Sequence, residues 1–506
     1  MDRMSPQDAM FLAVEDDRNP MHIGNVCVFE GPVPSYGELV RAVAANLPLV
    51  PRYRQRVRFV PLQLGRPVWV DDPHFQILYH VRRTAIPHPG GADELRNLAG
   101  RVFAQRLDRD KPLWELWMVE GLEDGRWALL SKVHHSMVDG VSGTDLLTVL
   151  LDREPKSPPT RAAAWRPAPE PSDLQLVADT LADGIRDPVN RVRGLPFVAR
   201  AAIATGLGLD SITDLFNLVS SLGSWTYPAA GSLNGPIGPH RRWSWANGTL
   251  EQVKEIRSAL GGTVNDVVIA VITRGFRDLL LGRGDEVDGR VVRTLVPVSV
   301  RRPSEKGIYN NRVSGLFPGL PVGIADPVER LDAVRRQMDG FKRSGQAVAG
   351  DVLTQLTGFA PPMLLSVSAR LATRFEQRLV QTVTTNVPGP QFPLYAAGRR
   401  MLYAYPYVPI AGTVRIGIAI FSYVGGLNFG VTGDYDSVPD IDVLTRGIEA
   451  GMTELQRVAR SALGAPEPAP RRRPRAAAAN ATNRRRTTTG RRAGVRDGAR
   501  SAPAGP

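Results

Sequence analysis

One cysteine, Cys27, stands in 506 residues. An internal disulfide framework is therefore excluded, and the chain suits a reducing compartment such as the cytoplasm. Cys27 lies in the apolar run Val26-Cys27-Val28-Phe29, the setting of a buried structural thiol rather than a nucleophile. No window of about 18 uncharged apolar residues occurs, so no spanning helix is expected. Met1-Asp2-Arg3-Met4-Ser5-Pro6 is interrupted by charge and proline with no long apolar stretch behind it, so no signal peptide is read there. There is no G-x-S-x-G elbow, which leaves a serine acyl-enzyme without support. A G-x-x-x-x-G-K-[ST] phosphate loop is missing, and Gly206-Leu207-Gly208 lacks the third glycine of a dinucleotide fingerprint. His22, His74, His80, His88 and His240 are scattered without ligand spacing, so no metal centre is expected.

Charge is present in excess, but it is concentrated. Residues 464–506 hold eleven arginines against Glu467 and Asp497, which accounts for +9 of the net +13 and leaves +4 for the rest. This tail has almost no large apolar residues and is expected to be disordered. Its runs Arg471-Arg472-Arg473 and Arg484-Arg485-Arg486 suit anionic lipid or, with less specificity, nucleic acid.

The remaining chain divides on composition. Residues 4–151 form a first half and 173–463 a second, joined by a proline-rich extended linker over 152–172. Trp114 to Val119 and Trp127 to Val133 alternate as strands around the turn Glu123-Asp124-Gly125-Arg126. Residues 173–222 read as helical. Within them Leu195 to Trp225 carries only Arg200, Asp210 and Asp214 as charges, which suits a packed element or a monotopic membrane contact. Thr249 and Gln252 form a capping box before an apolar stripe that ends at Gly261-Gly262, and a second helix runs from Val264 to about Leu281. Val291 to Val300 reads as a buried strand, and Arg415 to Ile420 with Leu427 to Thr432 as a late strand pair.

The most informative segment is His134-His135-Ser136-Met137-Val138-Asp139-Gly140. It follows a strand and precedes Ser142 and Asp145, a capping-box pair opening a helix, so it belongs to a strand-to-helix turn at a sheet edge. Successive strand residues face opposite ways. If the strand persists, His134 and His135 cannot both enter one cleft, which argues against a metal pair and for one working imidazole beside a supporting neighbour. Imidazole titrates near about 6.5 and accepts a proton at neutral pH without large tuning.

This heptapeptide and an ordered series of segments resemble the bacterial wax ester synthase/acyl-CoA:diacylglycerol acyltransferase family. The series runs Met4-Ser5-Pro6-Gln7-Asp8-Ala9-Met10-Phe11-Leu12, Pro20-Met21-His22-Ile23-Gly24, Pro51-Arg52-Tyr53-Arg54-Gln55-Arg56 and Pro112-Leu113-Trp114. After the heptapeptide come Asn265-Asp266-Val267-Val268-Ile269-Ala270, Pro297-Val298-Ser299-Val300-Arg301, Thr385-Asn386-Val387-Pro388-Gly389-Pro390 and Gly430-Val431-Thr432-Gly433-Asp434.

The resemblance implies an α/β fold with mixed sheets. Two chloramphenicol-acetyltransferase-like halves, as in condensation domains, pack side by side with the active-site channel between them. It implies that His135 is the general base for direct acyl transfer from a fatty acyl-CoA co-substrate to diacylglycerol or a long-chain alcohol, with no cofactor. His134 supports the motif. Asp139 either orients the histidine or, as the superfamily favours, pairs with an arginine to hold the turn; Arg54 is the expected partner. Gly140 permits tight backbone geometry. Asn265 is placed to face the channel, Asp266 to cap its helix, and Asn386 to mark a rigid turn beside Pro388. The family's lipid acceptors imply a cytoplasmic protein peripherally bound to the inner membrane face or to lipid inclusions. A condensation-type enzyme acting on carrier-bound substrates and an inactive lipid-binding relative share these features. The lack of attached carrier modules counts against the first and the intact heptapeptide against the second. Specific nucleic-acid binding has only the tail in its favour.

Overall fold

The hairpin expected around Glu123 forms the centre of the first sheet. β6 (Trp114–Glu120) and β7 (Trp127–His134) pair antiparallel, Trp114 opposite Val133 and Val119 opposite Ala128. Asp124 and Gly125 close the turn with φ of 59° and 66°, the left-handed backbone a tight hairpin needs. In the computed structural model, residues 2–137, 151–155, 165–186, 231–299, 313–344 and 380–464 are described. Asp139, Gly140, the helix expected after Ser142, the apolar stretch 195–225 and the tail from 465 onward lie outside them.

β2 (His22–Phe29) pairs antiparallel with β7, and β5 (Val81–Ala85) pairs parallel with β6. Side-chain alternation divides the sheet's two faces. Leu129 and Val133 share a cluster with Cys27 and Phe29, while Ala128 and Leu130 share another with Val26 and Val28. Both faces are covered, which explains why β7 is apolar along most of its length. Helices α1 (Pro6–Val14), α2 (Tyr36–Asn46), α3 (Ile77–His80) and α4 (Ala92–Ala104) surround this sheet.

Beyond β2 the sheet is completed by chain from the far end of the sequence. β14 (Arg399–Tyr407) pairs antiparallel with β2, and β13 (Tyr395–Ala396) pairs with β14. The strand order is β13-β14-β2-β7-β6-β5. β7 is therefore central. The heptapeptide leaves the end of an interior strand, a correction to the sheet-edge position expected from its strand-to-helix context.

A second, seven-stranded sheet holds β8 (Arg241–Thr249), β9 (Val292–Ser299), β10 (Val313–Leu316), β11 (Gly319–Leu320), β12 (Thr382–Val387), β15 (Ile416–Tyr423) and β16 (Gly426–Asp434). β12 runs parallel to both β9 and β15, while β15, β16 and β8 form an antiparallel series. α6 (Leu250–Leu260) opens on the Thr249/Gln252 capping box and stops at Gly261, whose φ is 79°. α7 (Val264–Gly282), α8 (Pro327–Ser344) and α9 (Ile441–Ala462) pack with the sheet around one apolar cluster that includes Val267, Ile272, Phe276, Leu331, Leu444 and Phe429. A small third sheet has the order β1-β4-β3, from β1 (Asp2–Arg3), β3 (Gln55–Arg58) and β4 (Val68–Asp71). α5 (Asp173–Arg186) follows exposed, irregular chain at 165–172. No single described helix is long and apolar enough to cross a membrane.

The two large sheets are fastened where β14 crosses β16. Asn428 Nδ2 donates to the Ala404 carbonyl at 3.1 Å and Trp243 Nε1 to that of Pro406 at 3.3 Å. A Cβ at Gly430 would collide with the Pro406 carbonyl, so only glycine lets the strands approach this closely. Gly430→Ala is expected to lower stability by about 2 kcal/mol, within the range for overpacked sites, in urea unfolding. Gly340→Ala in α8, where an added Cβ meets nothing within 4 Å, should instead stabilise by about 0.5–1 kcal/mol.

Candidate active site

Lys132 and His134 point to one side of β7, and both are fully buried. The Lys132 ammonium pairs with Glu115 on the neighbouring strand at 3.1 Å and donates to the carbonyls of Val102 and Gln105 at 3.1 and 3.0 Å. Desolvation lowers the lysine pKa, and Glu115 works against that shift. The pair thus ties the C-terminal end of α4 to the strand that presents the motif.

His134 bends back on its own turn. The Ser136 N–H donates to His134 Nδ1 at 3.1 Å, and Ser136 Oγ lies 2.7 Å from the same nitrogen. Because Nδ1 accepts, the proton of the neutral ring sits on Nε2, which faces Glu15 Oε1 at 3.5 Å. The His22 Nε2 lies 3.2 Å from the same oxygen. Arg109 clamps the other carboxylate oxygen from Nε and a terminal nitrogen, at 3.0 and 2.7 Å, both bonds ending on Oε2. Burial disfavours the Glu15 charge, but hydrogen bonds from His134 and His22 outweigh it and hold the carboxyl far below the usual range. His22 is driven the other way: desolvation lowers it to about 4, against the pull of Glu15. One carboxylate therefore gathers the end of α1, the start of β2, the end of β7 and the 106–109 loop.

β7 stops at His134, and His135 begins a short 3-10 turn through Met137. This ending, rather than continued strand alternation, separates the two rings. The His135 N–H donates to the Met21 carbonyl at 2.8 Å, and the ring stacks on Phe11 of α1 with centroids 3.9 Å apart. Among residues 134–137 it alone keeps part of its surface accessible. Desolvation lowers its pKa to about 4, with the neighbouring His134 adding to the effect and a hydrogen bond to its own backbone opposing it. The imidazole is thus neutral at physiological pH, with one nitrogen open to accept a proton.

The other sequence-derived residues are more dispersed. Arg54 lies with its guanidinium 4.6 Å from the ring centroid of Trp165, and Asp71 is its electrostatic neighbour. Its expected partner Asp139, like Gly140, is outside the described residues. Asp266 caps as expected, accepting from the Thr263 N–H at 2.7 Å while Thr263 Oγ1 accepts from the Asp266 N–H. Its second carboxylate oxygen is buried without a partner among the described residues. Asn265 lies in the first turn of α7. Asn386 lies inside β12, opposite Ile420 of β15, which corrects its placement in a turn. The next residue, Val387, packs against the apolar cluster that contains Val133 and Met137. Glu15, Phe11, Arg109 and Ser136 were not singled out from sequence. Only its burial against Arg109, while the adjacent Asp16 and Asp17 are exposed, distinguishes Glu15, and no local pattern signals that.

Glu15→Gln would remove the charge and turn one of the two oxygens into an amide donor, so either Arg109 or the pair His22 and His134 loses its acceptor. Losing one partner of a buried ion pair predicts a stability loss of about 3 kcal/mol, measured as a lower urea midpoint. An unchanged midpoint would show that the cluster does not fasten these elements.

Residues 4–268 match the wax ester synthase/diacylglycerol acyltransferase catalytic domain, and residues 309–456 match the C-terminal domain of the same family. The diacylglycerol O-acyltransferase tgs1 of Mycobacterium tuberculosis is 37% identical over 471 residues, covering 90% of this chain and 96% of the relative. The tgs2 protein of the same organism is 32% identical over 467 residues, covering 90% and 99%. Among solved structures, the wax ester synthase/diacylglycerol acyltransferase from Marinobacter aquaeolei VT8 superimposes with a TM-score of 0.65 at 26% identity, over 90% of this chain and 99% of that one. The first condensation domain of the calcium-dependent antibiotic synthetase gives 0.51 at 18% identity, over 90% and 95%, a likeness of fold alone. With two domain matches in order and relatives aligned over nearly their whole lengths, the chain belongs to the wax ester synthase/diacylglycerol acyltransferase family of O-acyltransferases.

Proposed function

We propose that this protein moves a long-chain fatty acyl group from acyl-CoA to the hydroxyl of diacylglycerol, and of long-chain alcohols, with His135 as general base. The observation that carries the reading is a neutral, partly accessible imidazole fixed at the end of β7 by the Met21 carbonyl and the Phe11 ring. A base must lie within hydrogen-bond reach of the proton it removes and hold an unprotonated nitrogen at working pH. His135 meets the second condition by burial rather than by a charged partner.

The acceptor hydroxyl gives its proton to the open nitrogen of His135 as its oxygen attacks the thioester carbonyl. The tetrahedral oxyanion collapses, the carbon–sulfur bond breaks, and the imidazolium returns the proton to the CoA sulfur. No acyl-enzyme is required. The nearest thiol, Cys27, is buried and pushed up to about 12, which removes it as a nucleophile. His134 serves the reaction indirectly, through Ser136 and Glu15, by fixing the turn on which His135 stands. The lipid acceptor supports a peripheral position at the cytoplasmic membrane face or at lipid inclusions.

The test is acceptor-dependent release of CoA thiol from palmitoyl-CoA, with dioleoylglycerol or hexadecanol. His135→Ala should lower it by about a hundredfold or more. Release that is equal in wild type and variant, or that requires a carrier-bound thioester, would replace this reading with the condensation-type one. The pH dependence gives a second check. A base lowered to about 4 stays unprotonated until the medium approaches that value. Thus kcat/KM should stay level from pH 8 down to about 5.5 and fall only below about 5. A fall centred on about 6.5, the ordinary imidazole value, would show that His135 is solvated and untuned.

A further inference from the structure

The loop from Glu15 to Met21, between α1 and β2, carries both contacts that fix His135. Phe11 at its near side stacks on the ring, and Met21 at its far end accepts the His135 N–H. Glu15 closes the loop on itself, because Oε1 accepts from the Met21 N–H at 3.3 Å. Pro20 fixes the backbone just before Met21. The middle of the loop is held by the other half of the chain.

Asp16 sets up that grip. Its Oδ1 accepts from the N–H groups of Arg18 and Asn19, both at 2.9 Å, and from Asn19 Nδ2 at 2.7 Å. The Asn19 side chain is thereby aimed across the halves, and its Oδ1 accepts from the Gly412 N–H at 2.9 Å. An amide supplies the donor and the acceptor that this position needs. Gly412 stands at φ 65° in the loop that carries the chain from β14 to β15. That loop is itself tied to the second half, since the Thr413 carbonyl accepts from the Gly235 N–H at 3.0 Å and from Asn234 Nδ2 at 3.3 Å. One residue earlier, the Arg18 carbonyl accepts from Arg241, the first residue of β8. The other terminal nitrogen of Arg241 donates to the carbonyls of Gly238 and His240 at 2.7 and 2.8 Å. Asn19 and Arg241 are both buried, at 7% and 3% exposure, where polar groups are costly to leave half-bonded. Val387 and Phe421 of the second sheet pack against the cluster that holds Val133 and Met137, so the end of β7 abuts the second half. The base stands on the first half, and this clasp refers its position to the second.

We propose that Asn19 and Arg241 are positioning residues for acyl transfer, registering the loop that carries His135 against the second half and so setting where the base meets the acceptor hydroxyl. This rests on the acyl-transfer reading with His135 as base. Asn19→Ala in the full-length chain removes the amide and leaves Phe11, Met21 and Glu15 in place. In CoA-thiol release from palmitoyl-CoA with dioleoylglycerol, it should lower kcat about tenfold or more while KM for palmitoyl-CoA stays within about twofold. Arg241→Lys keeps the buried charge, but an ammonium lacks the planar fork that spans carbonyls of both halves, so kcat should fall in the same way. It carries the test alone if Asn19→Ala does not fold. A loosened loop also admits water to the ring, so the acid limb of kcat/KM should rise from below about 5 toward the ordinary imidazole value of about 6.5. The charged and titratable groups around the ring are unchanged in both variants: His134, Glu15 of α1, His22 of β2, and Arg109 and Lys132 behind them. Leu455→Ala, a cavity in the second-half core, controls for lost stability and should keep the wild-type kcat and acid limb. Wild-type kcat in both variants would overturn the proposal. So would a loss that Leu455→Ala shares, or one that leaves the acid limb in place. Wild type without acceptor-dependent release, or His135→Ala as active as wild type, would sink the acyl-transfer reading and this proposal with it, an outcome told apart because it needs no change at Asn19.

Discussion

A carboxylate almost without access to water holds the working end of this protein together. Glu15 is nearly fully buried, and its ionisation is sustained by two histidines, two arginines and the Met21 N–H, which reach it from different elements. In a low-dielectric setting such an arrangement is costly when incomplete and firm when complete. It fixes α1, and with α1 it fixes Phe11, against which the His135 ring lies. The position of the His135 ring thus depends on a charge two contacts away. Behind it, Lys132 and Glu115 repeat the device one step further along β7.

The two histidines divide their work according to environment rather than sequence. His134 ends the strand, faces inward, accepts from the Ser136 N–H at Nδ1 and turns Nε2 toward Glu15 at 3.5 Å. His135 begins the turn, faces an apolar ring and keeps a nitrogen unspent. Burial without a facing carboxylate lowers its basicity, so it is ready to accept a proton but does not carry one at rest. A histidine–aspartate pair of the hydrolase kind would raise the pKa instead. The present arrangement gives up basicity to secure the correct protonation state.

Much of this was legible in sequence where the signal is local. The tryptophan-bearing hairpin at 114–133, the capping box at Thr249, the cap at Asp266, the glycine stop at Gly261 and the late strand pair at 416–434 all follow from patterns within a dozen residues. Long-range pairings were not legible. Nothing near residue 400 signals that β14 crosses to β2, because a strand's distant partner is chosen by packing and not by its own alternation. The central place of β7 was misread for the same reason. Glu15 was missed because a buried carboxylate has the same appearance in sequence as a surface one, and its side-chain partners come from positions 22, 106, 109 and 134. His22 had only a packing role in prospect, and its contact with Glu15 emerges only when α1 and β2 are brought side by side.

The crossing of β14 also governs how the chain can be made. Synthesis begins at the N-terminus, yet β2 lacks its outer neighbour until residues 399–407 have been translated. Through most of elongation the first sheet must therefore wait with one edge unpaired, and unpaired edges are templates for wrong partners. The boundary between the two matched domains is for this reason not a place where the polypeptide can be cut into parts that fold alone. Closing a loop of this length costs little more entropy than closing a shorter one, but it postpones the completed sheet to a late event in folding. The turn bearing His135 gains its final support only when nearly the whole chain is present.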